Sequence, residues 1–113
     1  MVMDSFTYQD KYHFYILTSE FSFSCANFLP AIAKNSSAKI IGKKSGGGAC
    51  PMDVFADASG SIYQSSSPNV CGYLDEDMEF APSDDGVPVD INLDPSYWYD
   101  LKKLDQFLNN LNK

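Results

Sequence analysis

A nearly continuous apolar and aromatic run, His13–Thr18, is the feature that most constrains the fold of this chain. A run without polar alternation is typical of a strand that is buried on both faces in a parallel sheet. A turn follows, in which Ser22 or Ser24 is placed to cap a helix that we expect to run to about Asn35. A second short strand, Ala38–Gly42, completes a strand–helix–strand unit of the length usual for a parallel crossover. The sequence therefore predicts an α/β fold.

The predicted helix carries one apolar stripe, which we expect to face the sheet. The residues of this stripe recur at helical spacing and are Cys25, Phe28, Leu29, Ile32 and Ala33. Pro30 falls within the helix and is expected near its first turn or at a kink, because proline has no backbone N–H to donate.

After a glycine-rich loop, Ser45–Gly48, the pattern changes to short strands and turns. Met52–Ala56 and Ser61–Ser65 are predicted to pair as a hairpin, because Asp57–Gly60 between them has the composition of a hairpin turn. Residues 66–86 are rich in Ser, Pro, Asp and Gly, and we expect them to be mostly loop.

The C-terminal part of the chain is predicted to hold an edge strand and a helix. Val87–Leu93 alternates apolar and polar residues, and Asp94-Pro95 opens a helix from about Ser96 to Asn110. The buried stripe expected for this helix is Tyr97, Leu101, Leu104, Leu108 and Leu111. Tyr97-Trp98-Tyr99 is interpreted as a cluster that docks the helix.

Length and charge narrow the function classes. The 113 residues are predicted to form a single domain, with residues 1–10 as a ragged lead-in. The net charge is −7 and arginine is absent, so nucleic acid and anionic membrane surfaces are poor partners. We find no secretory leader and no apolar run of about 18 residues, and the compartment stays open, with an exported or membrane-associated parent among the alternatives.

The cysteines and the acidic residues do not form a metal-site pattern. Cys25, Cys50 and Cys71 are widely spaced, and His13 is the single histidine, so we expect reduced thiols, no metal and no cofactor. The acid-rich segment Asp75–Glu79 lacks the ligand spacing of an EF-hand and is interpreted as a solvated loop.

Ser24 occupies a favourable place for a nucleophile. It lies between a predicted strand and a predicted helix, where functional sites of α/β sheets are usually found. The helix N-terminus offers free backbone N–H groups, and the N–H of Cys25 is placed to stabilise an oxyanion formed when Ser24 attacks a carbonyl. The alternative is that Ser22 and Ser24 only cap the helix.

The run Tyr15–Gly48 resembles the nucleophile region of the tail-specific, or C-terminal-processing, serine peptidases, a family that includes the tricorn core proteases. The shared pattern is a strand, a short turn, Ser-x-Ser, a helix, a Lys-Ile-Ile-Gly-like strand and a Gly-rich loop. Asp84–Asp90 is similar to the late acidic-Gly-Val-x-Pro-Asp motif of that family. The resemblance implies a partial domain of the ClpP/crotonase type, built from β-β-α units, and hydrolysis of peptide bonds in a peptide or protein substrate.

The resemblance also implies roles for individual residues. Ser24 matches the nucleophile, Cys25 would supply one oxyanion N–H from its backbone, and Asp84 is the nearest match to the late acidic residue that assists the base in the tricorn-like branch. Gly46, Gly47 and Gly48 are interpreted as a flexible substrate-binding loop beside Ser24. A phosphate-binding P-loop is disfavoured because no Gly-Lys-Ser/Thr follows these glycines.

The chain departs from the family pattern at the general base. Gly48 stands where the lysine-dependent branch has its lysine, while Lys43 and Lys44 come too early, and His13 is not in a matching place. We therefore expect the chain to be the C-terminal half of a larger peptidase domain, with the base on a missing N-terminal segment or a second chain. A half domain exposes apolar surface, so self-association into a homo-oligomer is expected.

Two other functions remain as alternatives. In the first, Ser24 is vestigial and the chain is a non-catalytic module that binds extended peptides by strand addition. In the second, the chain is a crotonase-like acyl-thioester enzyme. That chemistry needs oxyanion N–H groups from two loops, and the sequence offers one candidate.

Overall fold

The computed structural model describes residues 11–113, so the predicted lead-in at residues 1–10 lies outside the described residues. The elements in chain order are β1 (Tyr15–Thr18), α1 (Cys25–Ala33), β2 (Lys39–Gly42), β3 (Met52–Ala56), β4 (Ile62–Ser66), β5 (Gly72–Leu74), β6 (Phe80–Pro82), β7 (Ile91–Asn92), a 3₁₀ helix (Pro95–Tyr99) and α2 (Leu101–Leu111).

The main sheet is parallel and has the order β1-β2-β7. Tyr15 pairs with Lys39 and Thr18 with Gly42, while Ile41 pairs with Ile91 on the other side of β2. The predicted strand–helix–strand unit and its parallel pairing are confirmed. The central strand β2 carries the core, because its Ile40 and Ile41 side chains are almost completely buried.

The expectation that β1 is buried on both faces is wrong for this chain. Leu17 is 41% exposed and Phe14, just before the strand, is 49% exposed. Within residues 11–113, β1 pairs with β2 alone, so it forms the edge of the sheet. The mostly apolar side chains of β1 are thus covered by the rest of the described chain on part of their surface only.

The buried face of α1 agrees only in part with the predicted apolar stripe, of which Ala33 is buried and Ile32 is half-buried. Asn27, Pro30, Ala31 and Ala33 are buried, and Phe28 and Leu29 remain 39% and 58% exposed; Cys25 is exposed as well. Small side chains let the helix approach the sheet closely, and Ala31 joins Ile40 and Val87 in the core cluster. Pro30 lies at the sixth position of the helix, beyond the first turn.

The hairpin predicted after the glycine loop is confirmed, with β3 paired antiparallel to β4 from Met52–Ser66 to Ala56–Ile62. The Asp57 carboxylate closes its turn by accepting hydrogen bonds from the Ser59 and Ser61 N–H groups at 2.9 and 3.0 Å.

The prediction that residues 66–86 are mostly loop is confirmed for about two thirds of them, but it missed a second antiparallel hairpin, in which β5 pairs with β6. Asp75 shapes its turn by accepting from the N–H groups of Asp77 and Glu79. The Asn35 side chain exchanges two hydrogen bonds with the Leu74 backbone and so ties β5 to the segment that follows α1.

The single C-terminal helix predicted from the sequence is divided at Asp100, which caps α2 by accepting from the Lys103 N–H. Tyr97 packs edge-on against Phe107, with ring centroids 5.6 Å apart. The predicted buried stripe is wrong for this helix, because no residue of α2 is buried and Leu101 and Leu111 are 76% and 41% exposed. Among the described residues, no helix has the length and apolarity needed to cross a bilayer.

Candidate active site

Ser24 has a backbone conformation that serine rarely adopts, with φ of 57° and ψ of −119°. A positive φ in a residue other than glycine costs about 1–3 kcal/mol and persists only where the surroundings impose it. The side chain is exposed and makes no capping hydrogen bond. Sharp turns of this kind between a strand and a helix present the nucleophile in α/β hydrolases. The capping interpretation of Ser24 therefore has no support in the structure.

Ser22, the other predicted cap, is part of the turn that precedes Ser24. Its Oγ accepts from the Ser19 N–H at 3.1 Å, and its backbone N–H donates to the Ser19 carbonyl at 2.8 Å. This double contact fixes the path of the chain between β1 and α1. The Ser22 side chain thus stabilises the local turn, whereas the Ser24 hydroxyl makes no capping hydrogen bond.

The peptide unit between Ser24 and Cys25 is oriented as an oxyanion donor should be. The Ser24 carbonyl accepts from the N–H groups of Asn27 and Phe28 at 2.9 and 3.1 Å. Since N–H and C=O of a trans peptide point in opposite directions, the Cys25 N–H points away from the helix. It has no acceptor within residues 11–113 and stands at the positive end of α1.

The glycine loop lies directly beside the serine. Gly46 N–H donates to the Ser22 carbonyl at 3.0 Å, and Ser24 N–H donates to the Gly47 carbonyl at 2.8 Å. On its other side, Gly48 N–H donates to the Asp84 carbonyl at 3.0 Å. The loop is therefore pinned on both sides, which contradicts the expectation that it is flexible.

Close packing explains why this loop consists of glycines. Gly47 has a φ of +86°, and a Cβ there would lie 2.0 Å from the Asp84 carbonyl oxygen. A Cβ on Gly48 would lie 2.9 Å from the ring of Phe23. At Gly47 no side chain fits without moving the backbone, whereas at Gly48 a side chain would displace the Phe23 ring. Gly47 thus sets the distance between the serine turn and the segment around Asp84.

Asp84 supports the loop from the side opposite to Ser24. Its carboxylate accepts from the Ala49 N–H at 3.0 Å, and its carbonyl accepts from Gly48. The Gly47 carbonyl and the Gly48 N–H belong to one peptide unit and point in opposite directions, so Ser24 and the Asp84 backbone flank this unit on opposite sides. The role of Asp84 as an acidic assistant stays a prediction.

The sequence reasoning missed a buried polar pair behind the serine. Asn27 is fully buried in α1, and its Oδ1 accepts from the Ser45 Oγ at 2.6 Å. Its Nδ2 donates to the Ser83 carbonyl at 2.8 Å. The signal available in the sequence was a polar side chain three residues after Ser24, within an otherwise apolar helix.

The histidine and the two lysines that the sequence analysis rejected as the general base also lie in unsuitable places in the structure. His13 comes before β1 and Ser24 comes after it, so they belong to opposite ends of this strand. The four residues of β1 span about 13 Å from end to end. Lys43 Nζ donates to the Asn92 side chain at 2.7 Å, and the Lys44 side chain extends past Gly86. The three cysteines are free thiols, and no cluster of potential metal ligands occurs among the residues described.

No protein-family model matches the chain, and no curated protein matches it. Solved structures that are similar to it include mature CPAF complexed with lactacystin, with 28% identity and a TM-score of 0.49, and mature CPAF, with 28% identity and a TM-score of 0.47. CPAF is a chlamydial serine protease of the tail-specific family. Each match covers 85% of this chain but only 21% and 20% of the two CPAF chains, about a fifth of their length. TM-scores below 0.5 do not establish a common fold.

Proposed function

We propose that this chain is the nucleophile-bearing part of a serine peptidase of the tail-specific kind. The observation that carries the proposal is the backbone of Ser24, which is held at positive φ with its hydroxyl exposed and uncapped. A serine that only capped the helix would use its hydroxyl and would not need this costly conformation. The sequence resemblance described above supports the same assignment.

In the proposed reaction, the Ser24 Oγ attacks the carbonyl carbon of a peptide bond while a general base takes the hydroxyl proton. The carbonyl oxygen becomes an oxyanion, which the Cys25 N–H stabilises. The same proton then passes to the leaving amine, and water hydrolyses the acyl-enzyme. We assign the base and the second oxyanion donor to a segment outside the described residues or to a second chain. Without them, the loss of the base alone slows the reaction by about 10²–10⁴.

A partial domain of the ClpP/crotonase type is the fold that we propose for this chain. The parallel unit β1-α1-β2 with the serine at the start of α1 agrees with such a domain. Leu17 on the edge strand and Phe28 and Leu29 on the outer face of α1 would then pack against the remainder of the domain. Peptides or proteins are the proposed substrates.

The test is labelling with a fluorophosphonate probe, which reacts with activated serines. The chain is expressed from its complete open reading frame, with Ser24→Ala and Ser22→Ala as paired variants. We expect the wild type and Ser22→Ala to be labelled, because Ser22 serves the turn, and we expect no labelling of Ser24→Ala. A folded wild-type protein that stays unlabelled, or label that persists in Ser24→Ala, would contradict the proposal.

One observation favours the peptide-binding module as a second candidate. In the part of the chain that the structure describes, the outer edge of β1 has no partner strand, and such an edge can accept an extended peptide by strand addition. This candidate predicts that peptide binding is equal in the wild type and Ser24→Ala and that neither cleaves peptide. Turnover that depends on Ser24 would exclude it.

A further inference from the structure

A directional chain of hydrogen bonds connects α1, the glycine loop and the turn after β6. The Val87 N–H donates to the Ser45 Oγ at 2.7 Å, and the Ser45 hydroxyl donates to the Asn27 Oδ1 at 2.6 Å. The Asn27 Nδ2 then donates to the Ser83 carbonyl at 2.8 Å. Asn27 and Ser45 are 0% and 4% exposed, so these bonds form away from water.

Each member of this chain uses both its donor and its acceptor. Ser45 accepts through the oxygen that also carries its proton, and Asn27 accepts with its carbonyl and donates with its amide. Removing either side chain leaves buried polar groups unpaired, which costs far more than the bond itself contributes. The arrangement therefore fixes one relative position of the three segments.

The same segments hold the backbone of Ser24 from two directions. Its N–H donates to the carbonyl of Gly47, two residues after Ser45, and its C=O accepts from the N–H of Asn27. The bond between Ser45 and Asn27 joins these two supports behind the serine. A shift of the glycine loop relative to α1 would change the torsions at Ser24 and the direction of the Cys25 N–H.

We propose that Asn27 and Ser45 are positioning residues, which hold the Ser24–Cys25 peptide unit in the geometry needed to attack a carbonyl and bind the oxyanion. This inference rests on the function proposed above. Neither residue touches substrate in this scheme, and both act through the backbone of Ser24. Small displacements of reacting groups lower reaction rates strongly, so losing either side chain should slow the reaction in addition to lowering the stability of the fold.

The first measurement is the rate constant of fluorophosphonate labelling at saturating probe, in the complete protein and at a temperature where every variant is folded. We expect Ser45→Ala to lower it about tenfold or more, since a misplaced oxyanion donor loses most of its effect. Ser45→Thr retains the hydroxyl and should restore most of the rate. Ser67→Ala is the matched control, because Ser67 is also buried, at 6% exposure, but lies in the segment after β4.

The second measurement is independent of activity. Hydrogen exchange of the Ser24 amide reports its bond to Gly47, and the Lys43 amide, which donates to the Thr18 carbonyl, reports the sheet. In Ser45→Ala we expect exchange at Ser24 to accelerate about tenfold relative to exchange at Lys43. Ser67→Ala should change neither amide.

The outcomes separate the two proposals. Slower labelling together with faster Ser24 exchange supports the positioning role. Unchanged Ser24 exchange in Ser45→Ala, or unchanged labelling despite faster exchange, overturns it. If the folded wild type is never labelled but the exchange effect is present, the peptidase proposal fails while the control of the Ser24 backbone by Asn27 and Ser45 stands.

Discussion

Two neighbouring residues of the site have positive φ, and the cost of that conformation differs between them. Gly47 has a φ of +86°, and this conformation costs it little free energy because glycine has no Cβ. Ser24 has a φ of 57° and carries a side chain, so it stores about 1–3 kcal/mol of backbone strain. A protein under selection for stability alone would place glycine at position 24. The strain at Ser24 therefore shows that the surrounding contacts impose its backbone conformation.

Replacing Ser24 by glycine should therefore stabilise the protein while removing the nucleophile. We expect the free energy of unfolding of Ser24→Gly to exceed that of Ser24→Ala by about 1 kcal/mol, because alanine keeps the strained Cβ. This difference corresponds to a rise in melting temperature of about 4 °C for a chain of 113 residues. Thermal unfolding of the two variants measures it, and a Ser24→Gly variant that melts below Ser24→Ala would contradict the strain.

At the scale of single elements, the sequence predicted those features that depend on local pattern. The unit of β1, α1 and β2 followed from an apolar run, a capping site and a second apolar run. The hairpin of β3 and β4 followed from its turn residues. The β5–β6 hairpin was missed because its three-residue strands are too short to show alternation, and its turn depends on Asp75 rather than on glycine.

The buried face of α1 and the shape of the site were not predictable from such patterns. Which face is covered depends on what lies opposite, and only the segments around Ser45 and Ser83 explain why Asn27 points inward. The place of Ser24 at a helix start was visible in the sequence. The backbone torsions of Ser24 and the hydrogen bonds that hold the glycine loop could not be predicted from the sequence, because both result from contacts between segments far apart in the chain.

Asp90 connects three elements through one carboxylate. Its Oδ2 accepts from the Ile40 N–H in β2 at 2.8 Å, and its Oδ1 pairs with the Lys34 ammonium after α1 at 2.7 Å. Partial burial works to raise the pKa of the carboxyl, but the Ile40 hydrogen bond and Lys34 outweigh it and hold the pKa below its ordinary value of 3.8. The ionised form of Asp90 is therefore the one that stabilises the fold.

The stability that Asp90 contributes should depend on pH in one direction. Because its pKa is lower in the folded state, the contribution is present above about pH 4 and disappears as the pH falls through the folded pKa. We expect the free energy of unfolding of Asp90→Asn to be about 0.5–1 kcal/mol below that of the wild type at pH 7, since solvent partly screens the ion pair. In acid, the free energies of unfolding of the two proteins should become equal. Urea unfolding across pH measures this, with the exposed Asp85→Asn as control. A difference that stays constant down to pH 2 would contradict it.

The molecule as a whole is elongated and exposes much apolar surface. Its principal extents are 61 × 32 × 26 Å. The hairpin of β3 and β4 is exposed along nearly its whole length, and Val54, Phe55 and Ile62 are 62%, 55% and 72% exposed. By the strand register, Val54 and Ile62 lie on one face of the hairpin and Phe55 lies on the other, so both faces expose apolar side chains. Exposed apolar surface of this kind usually packs against another chain or another part of the same protein.

We therefore expect the purified chain to self-associate, as the sequence analysis proposed. Sedimentation velocity should show a weight-average sedimentation coefficient that rises with protein concentration. The double variant Val54→Ser, Phe55→Ser should weaken this rise, while Asp85→Asn should not. A clean monomer at the highest concentration would exclude association through the exposed surfaces.

The hydrogen-bond chain through Asn27 also has a consequence for biosynthesis. Asn27 is joined to Ser45, 18 residues later, and to Ser83, 56 residues later. Translation proceeds from the N-terminus, so the serine turn exists long before the segments that hold it. Until Ser83 has been added and has docked, the unsupported turn has no reason to keep Ser24 at positive φ. Under the proposed function, the geometry of the nucleophile is therefore completed only after most of the described chain has been synthesised.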